Sequence, residues 1–109
     1  MTDKIVVLTT CDSKKRADKL ARHLVKQRVA ACVNVLPKAR SIYRWKEKVE
    51  EASEWMLVIK SRRDLFPALR AEIEQLHTYE VPELIALPIV DGSEAYLVWF
   101  DAQLTTKAG

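Results

Sequence analysis

Cysteine and histidine are the side chains best suited to hold a soft metal ion, and this chain contains only Cys11, Cys32, His23 and His77. Copper and zinc favour thiolate and imidazole donors, whereas magnesium and calcium take oxygen. Cys11 follows the β-rich run Ile5-Val6-Val7-Leu8-Thr9-Thr10 and stands just before a helical pattern. A helix N-terminus lowers a thiol pKa, which would make Cys11 a soft metal ligand. The competing reading is a partly buried cysteine packed as a small apolar residue, and Cys32, inside an apolar run, takes that second reading. His77 closes a helical pattern, where a cationic imidazole would also suit the helix C-terminus. His23, beside Arg22 and near Lys26, reads as a solvated side chain. Cys11 and His77 lie far apart in the chain, so they form a site only if the fold joins them.

The segment His77-Thr78-Tyr79-Glu80-Val81-Pro82-Glu83 concentrates an imidazole, a phenol and two carboxylates in a few residues. Loops of this kind carry binding residues. Glu80 and Glu83 could instead satisfy backbone amides or pair with Lys60 or Arg44. Nothing nearby supplies a nucleophile or an oxyanion hole, so no enzyme is expected. Glycine occurs only at Gly92 and Gly109, neither opening a helix after a strand, so phosphate-cradling loops are absent. Tyr43, Trp45 and Trp55 could stack bases, but the basic-glycine-aromatic signature of RNA-binding strands is missing from Val49 to Ser61. Core or subunit-interface packing is the reading adopted for these aromatics, and no nucleic-acid partner is expected.

The elements that must position these residues follow from apolar spacing. The chain has 109 residues, 49% apolar and 30% charged, with a net charge of +3. That suits one domain over residues 1–109 with a single core. No apolar run approaches the ~18 residues of a membrane span, and Ile5 to Leu8 is too short for a signal-peptide core. The expectation is a cytoplasmic protein with no membrane partner, its two cysteines free thiols.

Strand 1 is Ile5 to Thr10. Ala17, Leu20, Ala21, Leu24 and Val25 recur at helical spacing between Ser13 and Gln27, with Asp12 or Ser13 placed to cap the start. Ala30 to Leu36 reads as a strand, Pro37 as a bulge or bend, and Ser41 to Trp45 as its continuation. Lys46-Glu47-Lys48 is a turn into a second long strand, Val49 to Ser61, making a hairpin. Asp64 can cap a helix carrying Leu65, Phe66, Leu69, Ile73 and Leu76 on one face, with Pro67 in its first turn and its end near His77. Leu84 to Leu87 is a buried-strand pattern, and Ser93 can cap a last helix with Tyr96, Leu97, Phe100 and Leu104 inward. Residues 105–109 are expected to fray.

The order β-α-β-β-α-β-α is the split arrangement of an α+β, ferredoxin-like domain with an extra C-terminal helix. It leaves a four-stranded antiparallel sheet with both main helices on one face. The other face needs a cover, which points to oligomerisation through the sheets.

The runs Arg28 to Asn34, Ser41 to Trp45, Tyr79 to Leu84, Ala86 to Ile89 and Tyr96 to Trp99 together resemble the CutA family of divalent-cation tolerance proteins. The resemblance extends from about Ile5 to Leu104 in one register. It implies a homotrimer built by sheet pairing, a link to copper tolerance and a likeness to PII-type signalling trimers. It also implies copper ligands at a strand-1 cysteine and two adjacent histidines. Cys11 matches the first and His77 the second histidine, while Leu76 occupies the position of the other. Glu47 stands where the family's hairpin usually has glycine, a strained choice by about 1 kcal/mol if that turn keeps φ > 0.

The resemblance therefore implies a homotrimer binding copper or another divalent metal ion at Cys11 and His77, with Trp45 in the trimer interface. The PII likeness also implies a small-molecule cleft between subunits, lined by Tyr43, Lys60, Tyr79, Glu80 and Glu83.

Overall fold

The computed structural model describes residues 1–106. Its elements run β1 (Lys4–Cys11), α1 (Lys14–Lys26), β2 (Cys32–Trp45), β3 (Lys48–Arg62), a 3-10 turn (Arg63–Leu65), α2 (Phe66–Leu76), β4 (Ile85–Pro88) and α3 (Glu94–Gln103). The sheet order is β2-β3-β1-β4 and every pair is antiparallel. This is the ferredoxin-like α+β order expected from the pattern.

Register sorts the side chains, because directly opposed residues share a face. Val7 lies opposite Ile59 on one side and Ala86 on the other. On that face Ile5, Val7 and Cys11 of β1 and Leu57 and Ile59 of β3 are buried against Ala17, Leu20, Ala21 and Leu24 of α1 and Leu69 and Ile73 of α2. The helical spacing in the chain is therefore the geometry of the core. Ser13 caps α1 by accepting the Arg16 N–H at 3.2 Å.

The opposite face carries Val6, Leu8, Met56 and Val58, half-buried, together with Leu36, Ile85 and Leu87, exposed. α3 reaches only one end of it. Phe100 and Leu104 pack with Ala31, Leu65 and Ile89 in a small second core. Asp101 receives Lys4 and Arg62, each at 3.1 Å, and both contacts hold its carboxyl below the ordinary range.

Several expectations need correction. Asp64 does not cap α2: it lies in the 3-10 turn and accepts from Arg62 Nε at 2.6 Å, so Leu65 takes the cap position without a side-chain bond. Ser93 occupies the N-cap of α3 but makes no side-chain cap bond. Tyr96 faces outward and stacks on Trp99, because Phe100 and Leu104 alone reach the small core beneath α3. Leu84 is half-buried, but Ile85 to Leu87 form an exposed edge strand. Thr105 is tied down: its N–H donates to Arg28 O at 3.0 Å and its carbonyl accepts from Arg62 at 2.7 Å. The rest of the expected frayed tail, residues 107–109, lies outside the described residues.

Candidate functional site

Cys11 is the last residue of β1, and His77 is the C-cap of α2, its N–H donating to Ile73 O. The fold does bring them together. Both line one small pocket with Asp12, Arg16, Leu20, Leu76 and Thr78. Their chemistry differs from that of an open metal site. Cys11 is 4% exposed. Burial first, then the charges of Asp12 and Glu54, push its thiol up to about 11, against the weaker pull of Arg16. Desolvation in the core thus sets the direction for this thiol, opposite to the one expected beside a helix N-terminus.

Both ring nitrogens of His77 are engaged. Nε2 lies 2.5 Å from the Thr10 carbonyl oxygen and donates to it, and Nδ1 accepts the Tyr79 N–H at 3.1 Å. These partners fit the tautomer with its proton on Nε2 and leave no free lone pair on the ring. Leu76 lines the same pocket and offers no donor atom. Among the described residues no group of three His, Cys, Asp or Glu side chains could hold a metal ion. Cys11 and His77, as arranged, do not fit a copper ion.

A larger cleft of about 700 Å³ opens between the β2–β3 hairpin and the segment after α2. Tyr43, Tyr79, Glu80 and Glu83 line it, as does Trp45. Lys60 does not. It lies farther along β3, opposite Cys32, and its ammonium donates to Asn34 Oδ1. Alternation along β3 places Lys60 on the same face as Glu54 but six residues along the strand from it, beyond the reach of its own subunit's cleft.

Thr10, Ser41 and Glu54 also line the cleft, with Ile42, Ala52 and Val81, and no local motif marks them. Glu54 is buried, and Tyr79 OH donates to its Oε2 at 2.7 Å. Burial by itself would raise the Glu54 carboxyl. The hydroxyls of Ser41, Tyr79 and Thr10 outweigh it and hold the group below the usual carboxylate range. The same bond acts in reverse on Tyr79: burial first, then Glu54, drives its phenol well above the ordinary value. The period-two series Glu54, Met56, Val58 carried the available signal, a carboxylate on a face that is otherwise apolar.

His77 and Tyr79 thus fasten the loop to β1 and β3, with ring centroids 4.7 Å apart. His23 is also more than a solvated group, lying 2.7 Å from Glu72 across the α1–α2 contact.

A family model described as the CutA1 divalent ion tolerance protein matches residues 5–103. The chain belongs to the CutA1 family. Thermus thermophilus divalent-cation tolerance protein CutA is 46% identical over 94 residues, covering 86% of this chain and 91% of that protein. Mouse Protein CutA is 48% identical over 90 residues, 83% of this chain. The chain spans 51% and 50% of the lengths of the mouse and human relatives. The solved CutA1 from Oryza sativa superposes with a TM-score of 0.93 at 38% identity, covering 97% of each chain. The Thermus thermophilus structure gives 0.91 at 42% identity, covering 94% and 99%. CutA1 is a family of divalent-ion tolerance proteins with this fold.

Proposed function

We propose that this CutA1-family protein acts in divalent-cation tolerance as a cytoplasmic homotrimer, with the assembled trimer as its working form. The observation that carries the assembly is the open sheet face, where Leu36, Ile85 and Leu87 are exposed beside half-buried Val6, Leu8, Met56 and Val58. A contiguous apolar patch of this kind marks an interface. β2 and β4 are the two free sheet edges, and joining unlike edges head to tail closes a ring. Trp45, at the hairpin tip and 39% exposed, is the interface aromatic.

Copper and zinc are cations whose donor preferences match Cys11 and His77. Since the Cys11 thiol is buried and both ring nitrogens of His77 are engaged, the tolerance role is assigned to the trimer and not to a preformed two-ligand copper site. The test combines light scattering with growth. Wild type should run at three times the subunit mass and restore growth at elevated copper(II) to cells lacking the protein. A Cys11→Ser/His77→Ala variant should do both, and a trimer-breaking variant neither. A monomeric wild type, or rescue by the trimer-breaking variant, overturns the reading.

A second reading rests on the cleft. Its volume lies within the range of small-molecule sites, and the loop and hairpin that form it sit at the proposed subunit boundary. It casts the trimer as a PII-like module that senses a small ligand there. A ligand that raises the melting temperature of wild type, but not of a Tyr79→Ala variant, is the expected result.

A further inference from the structure

The charge of the cleft is opposite in sign to that of a site built around Lys60. Among the described residues of one subunit, no lysine, arginine or histidine lines it; the lining includes Glu54, Glu80 and Glu83 with Tyr43, Trp45 and Tyr79. Glu54 is 8% exposed at the floor, and Glu80 and Glu83 are exposed at the rim. An anion entering here would lose water beside a buried carboxylate without gaining a cationic partner from the cleft's described walls.

A cation meets the reverse situation, because carboxylates and aromatic faces both attract it. A bare metal ion fits less well. The carboxylates are spread along the walls, and among the described residues they do not form a group of three converging on one point. Three aromatic rings add apolar surface that a hydrated metal ion cannot use and that an alkylammonium ion can.

We propose that this cleft binds an organic ammonium ion, its cationic head drawn to Glu54 and the rim carboxylates and its alkyl part lying against Tyr43, Trp45 and Tyr79. The assignment rests on the reading of the cleft as a small-molecule site and names the chemical class that site takes. The bond from Tyr79 OH to Glu54 Oε2 at 2.7 Å fixes both groups in place before a ligand arrives. Preorganisation of that kind lowers the cost of binding.

The test uses three probes of equal chain length and different charge: putrescine, its diol analogue and succinate. Each is titrated into the intact protein by calorimetry and by NMR, following the Trp45 indole N–H, assigned with a Trp45→Phe variant. Putrescine should bind and shift that signal, the diol should not, and affinity should fall with salt. Glu80→Gln/Glu83→Gln alters only exposed groups and should weaken putrescine by about tenfold or more. Glu54→Gln, which keeps the shape of the side chain, should weaken it further.

If succinate shifts the signal and putrescine does not, the cleft is a ligand site but the ammonium assignment is overturned. If putrescine binds equally to wild type and both variants, the cation sits elsewhere and the assignment is overturned. If no probe of any charge shifts the signal at millimolar concentration, the small-molecule reading of the cleft falls, and the assignment with it.

Discussion

At Cys11 two local influences compete. The start of α1 favours a thiolate, and the packed core around β1 opposes it. With the thiol pushed up to about 11, the thiolate fraction at neutral pH is about a hundredfold lower than at the ordinary value of 9.0. Cys11 should therefore alkylate with iodoacetamide at least about a hundredfold more slowly than an unfolded cysteine, with the modified peptides followed by mass spectrometry. Rapid labelling of Cys11 in the folded protein would contradict its burial.

Glu54 makes a complementary prediction. Its folded pKa lies below the unfolded 4.5, so between those values the unfolded chain binds more protons. The stability it supplies is complete above the unfolded value and is lost as pH falls through the folded one. Urea midpoints should drop as pH falls below 4.5, and Glu54→Gln should flatten that drop while lowering the midpoint at neutral pH.

Among the elements, the β2–β3 hairpin shows how local chemistry and architecture can disagree. Trp45 pairs with Lys48 across Lys46 and Glu47, whose φ values are 49° and 68°. A two-residue turn with both centres left-handed matches the twist of the strands, and glycine or asparagine is its usual occupant. Glu47 carries the expected strain. Glu47→Gly should stabilise the chain by about 0.5–1 kcal/mol, the left-handed penalty less the entropy cost of glycine, read as a higher urea midpoint.

A related device fastens α3. Arg28, with φ 60°, follows α1 and donates to Ala102 O at 2.9 Å and Gln103 O at 3.1 Å, the end carbonyls of α3. Arg62, its side chain 7% exposed, joins Asp64, Asp101 and Thr105 O from one guanidinium. Neither role is visible in local spacing, because the Arg28 side chain reaches α3, and Arg62 reaches past its neighbour Asp64 to Asp101 in α3 and to Thr105 after it.

For the molecule as a whole, the sheet divides the apolar surface into a face the subunit covers itself and a face it leaves to assembly. The hairpin extends past the end of β1, which stops at the Cys11–Trp55 pair, so residues 48–54 of β3 pair only with β2. Ile42, Trp45 and Val49 are exposed on that projection. Trp45→Ala should shift the trimer toward monomer on dilution and lower its melting temperature, with mass followed by light scattering. An unchanged mass at every concentration would remove Trp45 from the interface.

The elements and their order were legible in the chain, because periods of 3.6 and 2 residues mark which side chains must be buried together, and burial of those side chains is what the helices and strands accomplish. The pairing of Cys11 with His77, and of Tyr43 with Tyr79, Glu80 and Glu83, was legible only through resemblance to a family. What the tertiary structure decided is the state of those groups. Glu54 reached the cleft floor, Lys60 was carried away from it, Cys11 kept its proton and His77 spent both nitrogens on Thr10 and Tyr79. Each outcome depends on residues from different elements meeting in space and on how much water they lose there. Spacing along a chain encodes neither distance across a sheet nor local desolvation.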